Sequence, residues 1–158
     1  MKLSQVITES AYDFSIQYWD EMAEEYDPWV TASQAEAIAD SSGIRISRNK
    51  ELTFIAMRDG DVIGAVWSDI VQNDDDFDDT SYDYDFDIAV DKESRGMVGL
   101  KLIESAISDY YDKLSDQQNS RIKVWVINPK LVRVLENKYH FDIESEYSDG
   151  SAYMVYYG

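Results

Sequence analysis

Residues 88–107 read IAVDKESRGMVGLKLIESAI. Ile88, Ala89 and Val90 end an apolar, strand-like run, and a polar turn over residues 91–96 closes on Gly96. From about Val98 to Leu114 the apolar residues fall at helical spacing, with Leu102, Ala106, Ile107, Tyr110 and Leu114 on one stripe. A strand, a glycine-bearing turn and a helix in that order have a chemical consequence. The first amides of a helix have no acceptor within it, and together with the positive end of the helix dipole they favour a diphosphate. Gly96 and Gly99 let the main chain approach such a group, and Lys92, Arg95 and Lys101 add positive charge around it. Because salt screens charges over about 8 Å, those near cations outweigh more distant acids. An ordinary amphipathic helix after a turn has the same local pattern, so the surrounding elements have to choose between the two.

The distant acids are many. The chain has 158 residues with 32 Asp+Glu against 14 Lys+Arg and a single His, a formal charge of -18. That length suits one domain over residues 1–158. With no Cys, disulfides, thiolate nucleophiles and Cys-ligated metals are excluded, and His140 alone builds no multi-His site, so no metal is expected. No apolar run approaches the ~20 residues that cross a bilayer, and the start lacks a basic-then-apolar leader, so a soluble, cytoplasmic protein is expected. Charge is uneven: residues 92–138 hold nine Lys/Arg and six Asp/Glu, and the rest hold five and 26. Most of the surface should repel nucleic acid and anionic membranes, while one region tolerates an anion. Solvation accounts for most of the carboxylates, as in any highly soluble acidic protein.

Periodicity gives the order of elements. Residues 2–7 alternate weakly as a first strand. Ser10 and Asp13 offer a helix start, and Ala11, Phe14, Tyr18 and Met22 at helical spacing predict a helix to about Tyr26, ended by Asp27-Pro28. A second helix is predicted over residues 33–42, with Gly43 as its stop. Residues 52–57 and 62–71 flank Asp59-Gly60 as a hairpin, followed by an exposed aspartate-rich loop over residues 73–79. In the next strand, residues 82–90, Tyr82, Tyr84, Phe86 and Ile88 alternate with Asp83, Asp85 and Asp87. One face is core; the other must be wet or hold a cation. After the helix come a strand over residues 121–127, a helix capped by Asn128 with Pro129 at its first position, and a final hairpin over residues 141–157 about Asp149-Gly150.

Strand, two helices, three antiparallel strands, helix, strand, helix and hairpin is an order that resembles the GCN5-related N-acetyltransferase superfamily. Residues 88–107 resemble its acetyl-coenzyme A motif, a strand ending in Val, then Arg-Gly-x-Gly-x-Gly and a Leu-rich helix. NPKLVRVLENKYHFD, residues 128–142, resembles its next motif, an Asn, a helix and a Gly-Phe pair. The resemblance implies an α/β (α+β) fold with a mixed, mostly antiparallel sheet of about six or seven strands and about four helices. It implies acetyl-coenzyme A as acetyl donor, met by Ile88, Ala89, Val90, Arg95, Gly96, Met97, Val98, Gly99 and Asn128. Two departures stand out. The phosphate loop is one position short, Arg95-Gly96-Met97 running directly into Val98-Gly99, and the family's general-acid tyrosine falls on Leu135 or Glu136.

Acetyl transfer needs an unprotonated amine, a well-placed thioester, donors for the developing oxyanion and a proton for the thiolate. The resemblance implies Asp85 or Asp87, directly or through water, as the base, with Glu136 a third candidate. An acidic groove favours a cationic acceptor such as a polyamine, an aminosugar or a lysine side chain. Tyr12, Trp19, Trp29, Tyr82 and Asp83 are its candidate contacts, although Trp19, Tyr26 and Trp29 suit the core or a dimer contact equally well. The aspartate row lacks the glycine and terminal Glu of a calcium loop. A family-fold protein without catalysis, serving binding or assembly, and an acidic decoy of nucleic acid remain alternatives. The aromatic end SAYMVYYG suits either a monomer or a homodimer paired at a sheet edge.

Overall fold

The computed structural model describes residues 14–22, 28–74, 80–94 and 96–157. The chain runs β1 (Ser15–Tyr18), α1 (Trp19–Met22), α2 (Pro28–Ser41), β2 (Glu51–Arg58), β3 (Asp61–Asp74) and β4 (Thr80–Val90). It continues through α3 (Met97–Leu114), β5 (Ser120–Val126), α4 (Pro129–Lys138), β6 (Asp142–Glu146) and β7 (Ala152–Tyr156). The seven strands form a sheet in the order β1-β2-β3-β4-β5-β7-β6. It is mixed, because β4 and β5 run parallel while the β5–β7 and β6–β7 pairs are antiparallel. Among the described residues three helices reach ten residues or more and α1 is a single turn, against about four helices expected. The chain packs as two compact units, Met1–Trp67 with Ile88–Ala106, and Ser68–Asp87 with Ile107–Gly158.

In the first unit, the helix predicted over residues 10–26 is corrected. Ser15–Tyr18 is a strand, paired antiparallel with β2 from Ser15↔Met57 to Tyr18↔Phe54, and among the described residues of that span only Trp19–Met22 is helical. The ladder to β2 replaces the local hydrogen bonds of a helix, and the Tyr18 ring packs on Phe54 at 4.7 Å. The strand expected over residues 2–7 lies outside the described residues, as do Ser10, Tyr12 and Tyr26. Helix α2 starts earlier than expected, with Pro28 in its first turn, where a missing N–H costs nothing. Asp59 and Gly60, at φ 53° and 84°, make the tight turn between β2 and β3 that their sequence foretold. Ala35, Ala39, Ile55, Met57, Val62, Ala65, Trp67 and Ala89 form the core, with Trp19, Ile38 and Leu52 packed against it.

Gly64 is a close-approach glycine. A Cβ there would stand 2.9 Å from Leu102 Cδ1 and 3.2 Å from the Ala89 carbonyl oxygen. The bare main chain of β3 therefore lets the first turns of α3, through Val98 and Leu102, settle against the strand.

In the second unit, Tyr84 meets Phe86 and Tyr110 at 6.2 Å each, and Phe141 stacks on Tyr156 at 5.1 Å. The Tyr84 hydroxyl donates to Asp109 Oδ2 at 2.6 Å, and Lys113 Nζ lies 3.1 Å from the same oxygen. Asp109 is 3% exposed, so removing its carboxylate leaves a buried phenol without an acceptor. Asp109→Ala is expected to destabilise the fold by about 2–3 kcal/mol in urea denaturation, and Asp112→Ala, at an exposed position of the same helix, by less than about 0.5 kcal/mol.

Helix α4 begins as its sequence indicates: Asn128 Oδ1 accepts from the Lys130 amide at 3.0 Å, and Pro129 follows at the first position. Its end explains the His140-Phe141 pair. His140 takes φ 61°, the left-handed conformation usual for glycine after a helix, and the Phe141 amide returns to the Leu135 carbonyl at 3.0 Å. His140→Gly should relieve that conformation and raise stability by about 0.5–1 kcal/mol, read as a higher Tm in a calorimetric scan. Gly150, at φ 88°, closes the β6–β7 turn against Pro129, whose Cγ lies 2.6 Å from where a Cβ would stand.

Candidate functional site

Strand β4 runs into the loop before α3, and the loop is held from two sides. The Asp91 amide donates to the Ile63 carbonyl at 2.8 Å, and a 3-10 turn, Lys92–Ser94, is closed by the Ser94 amide on the Asp91 carbonyl at 2.9 Å. Arg58 Nη1, from the end of β2, donates to Ser94 Oγ at 3.2 Å. Sequence reasoning did not see this brace, because 36 residues separate its two ends. Arg95 lies outside the described residues.

Gly96 sits at φ 107°, a conformation that residues with a Cβ scarcely adopt, and its carbonyl accepts the Leu100 amide at 3.1 Å, the first bond of α3. The amides of Met97, Val98 and Gly99 thus open the helix with no acceptor in it, and no other group among the described residues takes them. Val98 turns inward at 2% exposure. A Cβ on Gly99 would meet only Val90 Cγ2, at an ordinary 3.7 Å, so packing does not require a glycine there. Lys92 is exposed, and Lys101 pairs with Glu104 at 3.2 Å on the helix surface. Three amides that no described group accepts, a glycine-only bend and the positive pole of an 18-residue helix suit a bound diphosphate despite the shortened loop, although only Gly96 and Met97 of this stretch are exposed and Val98 and Gly99 are buried.

The aspartate face of β4 is less wet than its alternation suggested. Asp83 and Asp87 are each only 8% exposed, and Asp85 is half-buried. Asp83 Oδ1 accepts from Arg121 Nε at 2.8 Å, and its Oδ2 accepts from Asn73 Nδ2 at 3.2 Å. The hydrogen bond from Arg121 to Asp83 holds the guanidinium above its ordinary pKa. Parallel pairing of β4 with β5 sets Asp83 opposite Arg121 and Asp85 opposite Lys123, so the cation required by a buried carboxylate comes from the neighbouring strand. Asn73 and Asp74 belong to β3, where a loop was expected, and Asn73 contributes to this cluster. The β4–β5 ladder runs from Tyr82↔Ser120 to Phe86↔Val124, while β4 itself continues through Asp87 to Val90.

The other candidates scatter. Asn128 uses its side-chain oxygen to cap α4. Glu136 accepts from Arg133 Nη1 at 3.3 Å, and Arg133 also reaches Glu146 at 2.9 Å. Leu135, one of the two positions answering to the family's tyrosine, is fully buried, and Tyr139 lies under the Lys138 ammonium at 5.3 Å. Tyr82 is half-buried, and Trp19 packs on the first unit's core. Trp29 is 83% exposed, which corrects its reading as a core residue. Among tyrosines the sequence did not single out, Tyr111 is pushed up to about 12 by its hydrogen bond with Tyr156, making it a poor proton donor near neutrality. Among the described residues no His, Asp and Glu gather as a metal site, and no helix is long and apolar enough to cross a membrane.

Comparison with known proteins bears on the fold. No curated protein matches the chain by sequence. In shape it is similar to the acetyltransferase of GNAT family from Streptococcus pneumoniae, at 16% identity over 91% of this chain and 98% of that one, with a TM-score of 0.57. It is similar to Ard1 from Thermoplasma volcanium, at 19% identity over 92% and 97%, with a TM-score of 0.54. It is also similar to the toxin AtaT, solved with the C-terminus of the antitoxin AtaR and acetyl-CoA, at 13% identity over 89% and 92%, with a TM-score of 0.53. Residues 10–141 match the model of the acetyltransferase (GNAT) family, and the chain belongs to that family.

Proposed function

We propose that this protein transfers the acetyl group of acetyl-CoA to a primary amine, either a cationic small molecule or a lysine side chain. The observation that carries the reading is the row of amides at Met97, Val98 and Gly99 that no group among the described residues accepts, behind a glycine-only bend. Those amides, with Gly96, Arg95 and Lys92, receive the diphosphate of coenzyme A. Acetyl-CoA supplies the activated acyl group as a thioester; the protein's part is to hold, orient and move protons. Ile88, Ala89 and Val90 continue β4 beyond its ladder with β5 and offer main-chain groups on that edge for the pantetheine arm and the thioester carbonyl.

Asp87, the residue after the last pair of that ladder, takes the proton of the incoming ammonium, directly or through water. Asp85, opposite Lys123 in the ladder, and Glu136, held by Arg133, are the other candidate bases. A chain of charge -18 concentrates cationic amines at its surface, which favours this substrate class over neutral or acidic acceptors. The test is thiol release from acetyl-CoA against a panel of polyamines, aminosugars and a lysine peptide. Turnover with at least one cationic amine supports the assignment; none with any, in protein shown to bind acetyl-CoA, favours the family-fold binding protein.

A further inference from the structure

Cations are scarce outside residues 92–138, where only Lys2, Arg45, Arg48, Lys50 and Arg58 are found. Three of these five fall in the six residues Arg45-Ile46-Ser47-Arg48-Asn49-Lys50, with no acid among them, and all three line one cavity of about 700 Å³ in the first unit. The floor of that cavity is apolar: Ala39 and Trp67 belong to the core, and Ile44, Ile46 and Leu52 pack against it. Its helical wall carries Glu36 and Asp40, four residues apart on one face of α2.

Among the described residues, Arg45 and Arg48 make no ion pair, and neither do Glu36 and Asp40. Opposite charges therefore share one apolar-floored cavity without closing on each other, and the volume lies in the range of small-molecule sites. Arg58, at the far end of β2, braces the loop before α3, whereas Leu52, six residues earlier in that strand, lines the cavity; at about 3.3 Å per residue the two lie about 20 Å apart.

We infer that this cavity binds a free amino acid with a large apolar side chain, its carboxylate on Arg45 and Arg48, its ammonium on Glu36 and Asp40, and its side chain over the Trp67 floor. A ligand with both charges completes both walls, which a simple acid or amine does not, and planar guanidinium pairs suit a carboxylate. At its Leu52 edge the cavity lies about 20 Å along β2 from the Arg58 brace of the coenzyme loop, so its occupant does not compete with the diphosphate.

Isothermal titration of the full chain with L-phenylalanine should give saturable binding with a Kd below about 1 mM. L-phenylalaninamide, lacking the carboxylate, and 3-phenylpropionate, lacking the ammonium, should each bind at least about tenfold more weakly. The double variant Arg45→Glu/Arg48→Glu should lose phenylalanine binding while keeping its circular dichroism and its affinity for acetyl-CoA; should it not fold, Arg45→Ala/Arg48→Ala takes its place. Absence of saturable binding, equal affinity for the three compounds, or phenylalanine binding that survives the charge change would each overturn the assignment. Acetyl-CoA binding is read separately in the same protein, so failure here leaves the coenzyme loop untouched.

Discussion

Gly96→Val should weaken acetyl-CoA binding by at least about a hundredfold, while the chain still folds with its stability lowered by about 1–3 kcal/mol, the strain of a side chain at that φ. The reason is conformational. At φ 107° a β-branched residue is strained whatever the space around it, and here nothing lies within 4 Å of the new Cβ, so no clash spreads into the core. The backbone relieves the strain by rotating, and the rotation carries with it the Gly96 carbonyl that anchors Leu100 and the amides that follow. Gly99→Ala separates conformation from contact. Its methyl would touch only Val90, so the fold accepts it, and any loss of affinity must come from the methyl meeting the ligand. Titration calorimetry on both variants reads the two effects. Unaltered affinity in Gly96→Val would mean that the bend does not aim the amides.

Asp87→Asn should lower kcat by about a hundredfold or more and leave the affinity for acetyl-CoA within about twofold. The side chain keeps its shape at a position 8% exposed, so the substitution removes basicity without opening a cavity. Steady-state kinetics across pH supplies a second reading: the limb of the kcat/KM profile that reports the base should flatten in the variant. Parallel losses of turnover and coenzyme affinity would give Asp87 a structural part instead, as Asp83 has with Arg121.

What could be read before folding was whatever local chemistry decides. Asp59-Gly60 makes its turn because both residues accept positive φ, and Asn128-Pro129 starts α4 because an Asx oxygen and a ring without N–H suit a helix entry. The bend at Gly96 and the helix behind it were legible for the same reason. Residues 15–18 were misread because Phe14, Tyr18 and Met22 stand at helical spacing, and only β2, more than thirty residues later, offers the ladder that makes Ser15–Tyr18 a strand. For Asp83 the alternation left water and a cation open, and Arg121, from a strand that parallel pairing brings alongside, is the cation. For Trp29 the sequence left acceptor contact, dimer contact and core open, and its exposed place on α2 removes the core alone. For residues 15–18 and for Asp83, partners distant in sequence decide the outcome.

The most direct test is an amide-resolved titration. In the two-dimensional nitrogen–proton NMR spectrum of the labelled protein, adding coenzyme A should shift the amides of Met97, Val98 and Gly99 together, along one saturable curve. Saturable binding that leaves those three resonances in place, or their indifference to any concentration of coenzyme A, would contradict the assignment of the loop.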